Sequence, residues 1–66
     1  MGQRELDPNR NWNFEEAAYY IGCTTGTLKV WASKRRVPYV KVGRLTRFRK
    51  KDLDKWLDSR LVEAQQ

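Results

Sequence analysis

Ten lysines and arginines fall between positions 21 and 51, and no acid interrupts them: Lys29, Lys34, Arg35, Arg36, Lys41, Arg44, Arg47, Arg49, Lys50 and Lys51. Ammonium and guanidinium groups do one kind of chemistry well, the charge-assisted binding of phosphate and carboxylate oxygens. The acids are kept outside this segment. Residues 1–20 carry two cations and four acids, and residues 52–66 do the same. Ten crowded like charges repel one another in a folded chain. A polyanionic partner accounts for them better than solubility does, since dispersed charge would serve solubility equally well.

Other chemistries lack their residues. There is no histidine, which removes the commonest general base and metal ligand. The single cysteine, Cys23, can make neither an internal disulfide nor a zinc site. No glycine-rich phosphate loop surrounds Lys34 or Lys51. We expect no enzyme activity, no metal and no cofactor. No run approaches the roughly 18 apolar residues of a membrane span, and no secretory signal is visible, so no membrane partner is expected. The lone thiol fits a reducing cytoplasm.

Short elements must position the cations. Sixty-six residues make one small domain, in which about 60% of the unfolded surface is buried. Three tryptophans, three tyrosines and two phenylalanines can supply its core. Residues 1–11 are polar, hold Pro8 and lack periodicity, and read as a flexible N-terminal arm. Asn13 and Glu16 stand three apart as a capping box, with Trp12 and Ala17 placed for a hydrophobic staple. Phe14, Ala17, Ala18 and Ile21 then share one helical face, and Gly22 ends the helix. Thr24 is placed to cap a second helix about three residues later, with Leu28, Trp31 and Ala32 inward and Cys23 a small buried hydrophobe in the turn. That spacing predicts a helix-turn-helix.

The period changes to two on both sides of Gly43-Arg44, which predicts a β-hairpin with a tight turn. Its inward face is expected to be Val40, Val42 and Phe48. Lys41 and Arg47 are expected together on the outward face. Helical period returns from about Lys51, carried by Leu53, Trp56, Leu57 and Leu61, and the helix is expected to fray beyond Arg60. Trp12, Trp31 and Trp56 all fall at core spacing. The fold class is thus small α+β, a winged helix-turn-helix over residues 12–61, followed by a frayed C-terminus over 62–66.

Read together, "WNFEEAAYYIGCTTGTLKVW", "VPYVKVGRLTRF" and "KKDLDKWL" resemble the excisionase-type helix-turn-helix family, a winged-helix group related to the DNA-binding domains of MerR-type regulators. The resemblance spans residues 12–57. It implies double-stranded DNA as partner, with the second helix in the major groove and the hairpin wing on the backbone or in the minor groove. It further implies a recombination directionality factor that binds and bends DNA near attachment sites to assist an integrase. Several copies would bind side by side, the free protein being a monomer in a bacterial cytoplasm and nucleoid-associated when bound.

The residues expected to meet DNA are Thr24, Thr25, Gly26 and Thr27 at the helix start, then Lys29, Val30, Ser33, Lys34 and Arg35, and on the wing Lys41, Gly43, Arg44 and Arg47. Thr27 has the alternative of bracing the turn. In the family, base-edge contacts tend to come from the positions of Gly26, Val30 and Ser33. None of these has a long polar side chain, so specificity is expected from DNA shape, from Lys29 or from adjacent copies. Two other readings use the same residues. One is a small transcription regulator of a phage or mobile element. The other is a basic protein-interaction module using Leu45, Leu61 and Val62.

Overall fold

The computed structural model describes residues 5–62. Its elements run α1 (Phe14–Ile21), α2 (Thr25–Ser33), β1 (Val40–Val42), β2 (Leu45–Arg47) and α3 (Lys50–Ser59). Three helices and a two-stranded antiparallel hairpin in this order make a small winged helix-turn-helix. Among the described residues, no helix is long and apolar enough to cross a membrane.

The helix ends form as local chemistry dictates. The Glu16 N–H donates to Asn13 Oδ1 at 2.8 Å, and the Asn13 N–H donates to Glu16 Oε1 at 3.0 Å. Two donors with no partner inside the helix are thereby satisfied reciprocally. At the other end Gly22 takes φ 92°, and the N–H groups of Gly22 and Cys23 converge on the Ala18 carbonyl. Three residues then separate α1 from α2. The Thr27 N–H donates to Thr24 Oγ1 at 3.1 Å, the cap that starts α2.

The core is Trp12, Ala17, Ala18, Leu28, Ala32, Val37, Phe48 and Leu53. Trp12 does more than staple α1. Its backbone pairs with Phe48 through an antiparallel bridge, 2.8 Å and 2.9 Å in the two directions. Its indole Nε1–H donates to the Asp7 carbonyl at 2.9 Å, and its ring lies 4.9 Å from that of Tyr20. The described part of the expected arm is therefore held against the domain, and Leu6 packs on the core. Residues 1–4 and 63–66 lie outside the described residues, so the frayed end expected over 62–66 is described at Val62 alone.

Three expectations are corrected. Leu61 does not continue the helical period: α3 ends at Ser59, and the N–H groups of Arg60 and Leu61 bond three residues back to Leu57 and Asp58. That tightening of the last turn carries Leu61 off the helical face, and it is 69% exposed. Trp31 and Trp56 pack against the core, as their spacing predicts, but are only half-buried. Their rings meet at 5.8 Å beside an open groove of about 450 Å³, where Trp56 Nε1–H donates to the Arg36 carbonyl.

The third correction concerns the hairpin. Its register pairs Val40 with Arg47, Lys41 with Thr46 and Val42 with Leu45. Directly paired residues share a face, and neighbours along a strand alternate. Lys41 and Thr46 therefore lie on the face that continues to buried Phe48. Val40, Val42, Leu45 and Arg47 lie on the other. Val42 and Leu45 are about half exposed, so the expected inward set of Val40, Val42 and Phe48 does not exist. The cause is parity. A two-residue turn ties positions 41 and 46 together, and Phe48 is the bulkier residue to bury.

Candidate nucleic-acid interface

The exposed side of α2 is made by Gly26, Lys29, Val30 and Ser33. Val30 is about half exposed, an apolar side chain open to solvent beside a cation. The Ser33 hydroxyl donates to the Val30 carbonyl at 2.9 Å, so its proton is already committed to the helix. The Lys29 ammonium lies 5.8 Å from the centre of the Phe14 ring, within cation–π range. The start of α2 is less free than its three threonines suggest. Thr24 Oγ1–H donates to Thr27 Oγ1 at 2.9 Å while accepting the Thr27 N–H. Thr27 braces the turn, and Thr25 is half-buried.

The other end of α2 closes on cations. The Arg35 N–H donates to the Ala32 carbonyl at 3.0 Å and the Arg36 N–H to the Trp31 carbonyl at 2.8 Å. This pair of bonds is a Schellman cap, which wants a left-handed residue at its centre. Arg35 fills that place with φ 57°, where glycine is usual. Lys34, Arg35 and Arg36 are all exposed there, at the negative end of the helix dipole.

At the wing tip Gly43 has φ 63° and Arg44 does not share a positive φ. A positive φ at the first turn residue alone fits a type II′ turn, whose twist suits a two-residue hairpin. Arg44 is exposed at that tip. Below it the wing leans toward α2 and leaves a cleft of about 210 Å³, lined by Lys29 and Ser33 on one side and Lys41 and Thr46 on the other. Lys41 Nζ donates to Thr46 Oγ1 at 3.3 Å, which holds the ammonium over the cleft side of the sheet. Phe14 and Tyr39 also line it. Thr46 and Phe14 were not among the expected site residues. The parity of the two-residue turn was the available signal for Thr46.

The expected pairing of Lys41 with Arg47 is corrected by the same register. Arg47 lies on the opposite face of the hairpin, with its Nη1–H on the Thr46 carbonyl at 2.9 Å. The structure thus brings Lys29, Ser33 and Lys41 to one cleft with Gly26 and Val30 on the same helix side, and it sends Arg47 elsewhere. Among the described residues the ion pairs are Arg49–Asp52 and Lys50–Asp54, so no carboxylate neutralises the cleft lysines.

The perturbed ionisations lie away from this face, where α1 meets α3. The Tyr20 hydroxyl and the Lys50 ammonium both donate to Asp54, the latter at 2.6 Å. Those two hydrogen bonds, Lys50 first, hold the Asp54 carboxyl below its usual range. The same contacts raise the Tyr20 phenol and the Lys50 ammonium above theirs. Partial burial raises the Cys23 thiol, which keeps it protonated and unreactive at neutral pH.

A family profile described as helix-turn-helix domain matches residues 13–61, from the cap of α1 to just beyond α3. The chain belongs to the helix-turn-helix domain family. No curated protein and no solved structure matches the chain. Helix-turn-helix domains are DNA-binding modules, and the second helix of the motif is the one that enters the major groove. Here that helix is α2. Its solvent side carries Gly26, Lys29, Val30 and Ser33, and the wing stands beside it.

Gly26 shows what this helix-turn-helix domain gives up for its surface. A Cβ built there meets nothing within 4 Å, and its φ is not positive. Nothing within the fold demands glycine, and a helical glycine costs up to roughly 1 kcal/mol relative to alanine. The missing side chain leaves the backbone of α2 open to close approach at this position. Gly26→Ala is expected to raise stability by about 0.5–1 kcal/mol in a thermal melt. It should weaken duplex binding by about 1 kcal/mol, roughly fivefold. Binding that stays unchanged would show that nothing comes near this position.

Proposed function

We propose that this domain is an architectural DNA-binding protein of the excisionase type, which binds and bends duplex DNA near attachment sites and so assists an integrase. The observation that carries the reading is the cleft with unpaired Lys29 on the helix side and Lys41 on the wing side. A phosphate strand passing between a helix in the major groove and a wing on the backbone would run between two such cations. The protein does no bond chemistry of its own in this reading. It is a monomer when free and binds DNA with further copies alongside.

The composition of the α2 face supports an architectural role. Gly26 offers no side chain, Val30 can touch only a thymine methyl, and Ser33 has spent its proton on Val30. Direct reading of bases is correspondingly sparse. Specificity then rests on DNA shape and deformability, which is where a bending protein finds it. The test is an excision assay with an integrase and its attachment-site DNA, with and without the protein. Excision should rise when the protein is supplied. Unchanged excision, with altered expression of a neighbouring promoter, would assign the same surface to transcription regulation instead.

A further inference from the structure

The outer side of the wing carries a second set of cations. Arg47 lies on the hairpin face opposite the cleft, and strand alternation puts Arg49 on the same side. Arg49 in turn lines a concavity of about 170 Å³ together with Arg10, Lys50 and Lys51, and Pro8, Asn9 and Asn11 make its other wall. Residue 10 and residues 49–51 are far apart in sequence. They meet because the Trp12–Phe48 bridge ties the N-terminal segment to the base of the wing.

The acids nearby cancel only part of this charge. Asp52 pairs with Arg49, and Asp54 pairs with Lys50. Asp7 accepts the Asn9 N–H. Arg10 and Lys51 are exposed and have no ion-pair partner among the described residues. Gathering unpaired cations from two ends of a chain costs repulsion, and polyphosphate is the partner that relieves it.

We infer that Arg10, Arg47, Arg49 and Lys51 form a second phosphate-binding surface, which takes a separate stretch of duplex DNA backbone from the one in the α2–wing cleft. This inference rests on the reading that the cleft binds DNA. With the wing lying along one backbone, a straight duplex meets only the cleft face of the sheet, and DNA is stiff over about 150 base pairs. The second stretch is therefore either the flank of the same duplex bent round the wing, or another duplex. In either case, the outer surface converts binding at one face into a fixed path for the DNA.

Two DNA probes test it. One is a 10-base-pair stem closed by a loop, roughly one helical turn. The other is a 30-base-pair duplex with the same central sequence. The double variant Arg10→Ala/Lys51→Ala leaves both ion pairs and the core untouched. It is expected to lower affinity for the 30-base-pair duplex about tenfold or more. The slope of log affinity against log salt should become shallower by about 2, since each phosphate contact contributes about 0.9. Binding of the first stem should stay within about twofold.

Two outcomes support the surface and identify its source. A shorter end-to-end distance in the 30-base-pair complex, lost in the double variant, means the same duplex. Binding of a second stem, lost in the double variant, means another duplex. An unchanged slope with the 30-base-pair duplex overturns the inference. Lys29→Ala separates this from failure of the cleft reading. If Lys29→Ala weakens stem binding about tenfold while the double variant changes nothing, the outer surface alone is wrong. If Lys29→Ala leaves stem binding intact, the cleft reading itself falls.

Discussion

Trp12→Ala is expected to leave the domain largely unfolded at room temperature. Truncating a buried tryptophan costs about 3–5 kcal/mol. Trp12 is among the largest fully buried side chains and also makes contacts that packing alone does not count. Its indole holds the Asp7 carbonyl, its ring leans on Tyr20, and its backbone carries the bridge to Phe48. A domain of this size has roughly 3–10 kcal/mol of stability in total. The melting temperature should therefore fall by about 20 °C or more, each kcal/mol being worth roughly 4–8 °C in so small a chain. Trp31→Ala is the instructive comparison. Sequence spacing ranks the two tryptophans equally, yet Trp31 is half-buried beside an open groove. Its loss should be milder and should leave a cooperative transition. Equal losses for the two variants would mean that full burial of the Trp12 ring and its indole bond to Asp7 carry no extra weight.

Lys29→Ala combined with Arg44→Ala is expected to lower affinity for duplex DNA about a hundredfold at physiological salt, close to tenfold for each cation and about 2.7 kcal/mol together. Both side chains are exposed, so the fold should survive, with a thermal midpoint close to that of the parent chain. The parent should show a log–log salt slope of about −4 to −5, from roughly four to six phosphate contacts. The double variant should lose about 2 of that slope if both residues touch phosphate. A smaller change in slope with the full loss in affinity would place Arg44 on a base edge in the minor groove. Affinity that does not depend on salt would remove the phosphate mechanism altogether.

The role of Lys41 illustrates how much of the site a linear reading reaches. Its charge and its place beside the Gly43 turn are visible in the sequence, and so is its candidacy for DNA. Its neighbours are not. Period two divides a hairpin into two faces without saying which one meets the rest of the protein. Two valines suggest one answer and a single phenylalanine the other. The pairing of Phe48 with Trp12 chooses, and Lys41 turns toward Lys29 while Arg47 turns away. A two-residue turn at Gly43-Arg44 places Val42 and Phe48 on opposite faces.

Features whose partners lie within a few residues are legible along the chain. The Asn13–Glu16 box, the Thr24 cap, the end of α1 at Gly22 and the turn at Gly43 are all closed by groups three to five positions away. The segregation of charge into positions 21–51 is equally a property of the chain as written. Folding in three dimensions sets which cations share a surface, packs Leu6 and Val37 with the core, and leaves Leu61 in solvent beyond the last turn of α3. Those outcomes depend on contacts between segments far apart in sequence. Their energy comes from burying large side chains such as Trp12 and Phe48 together, and no local pattern encodes which distant partner a face will meet.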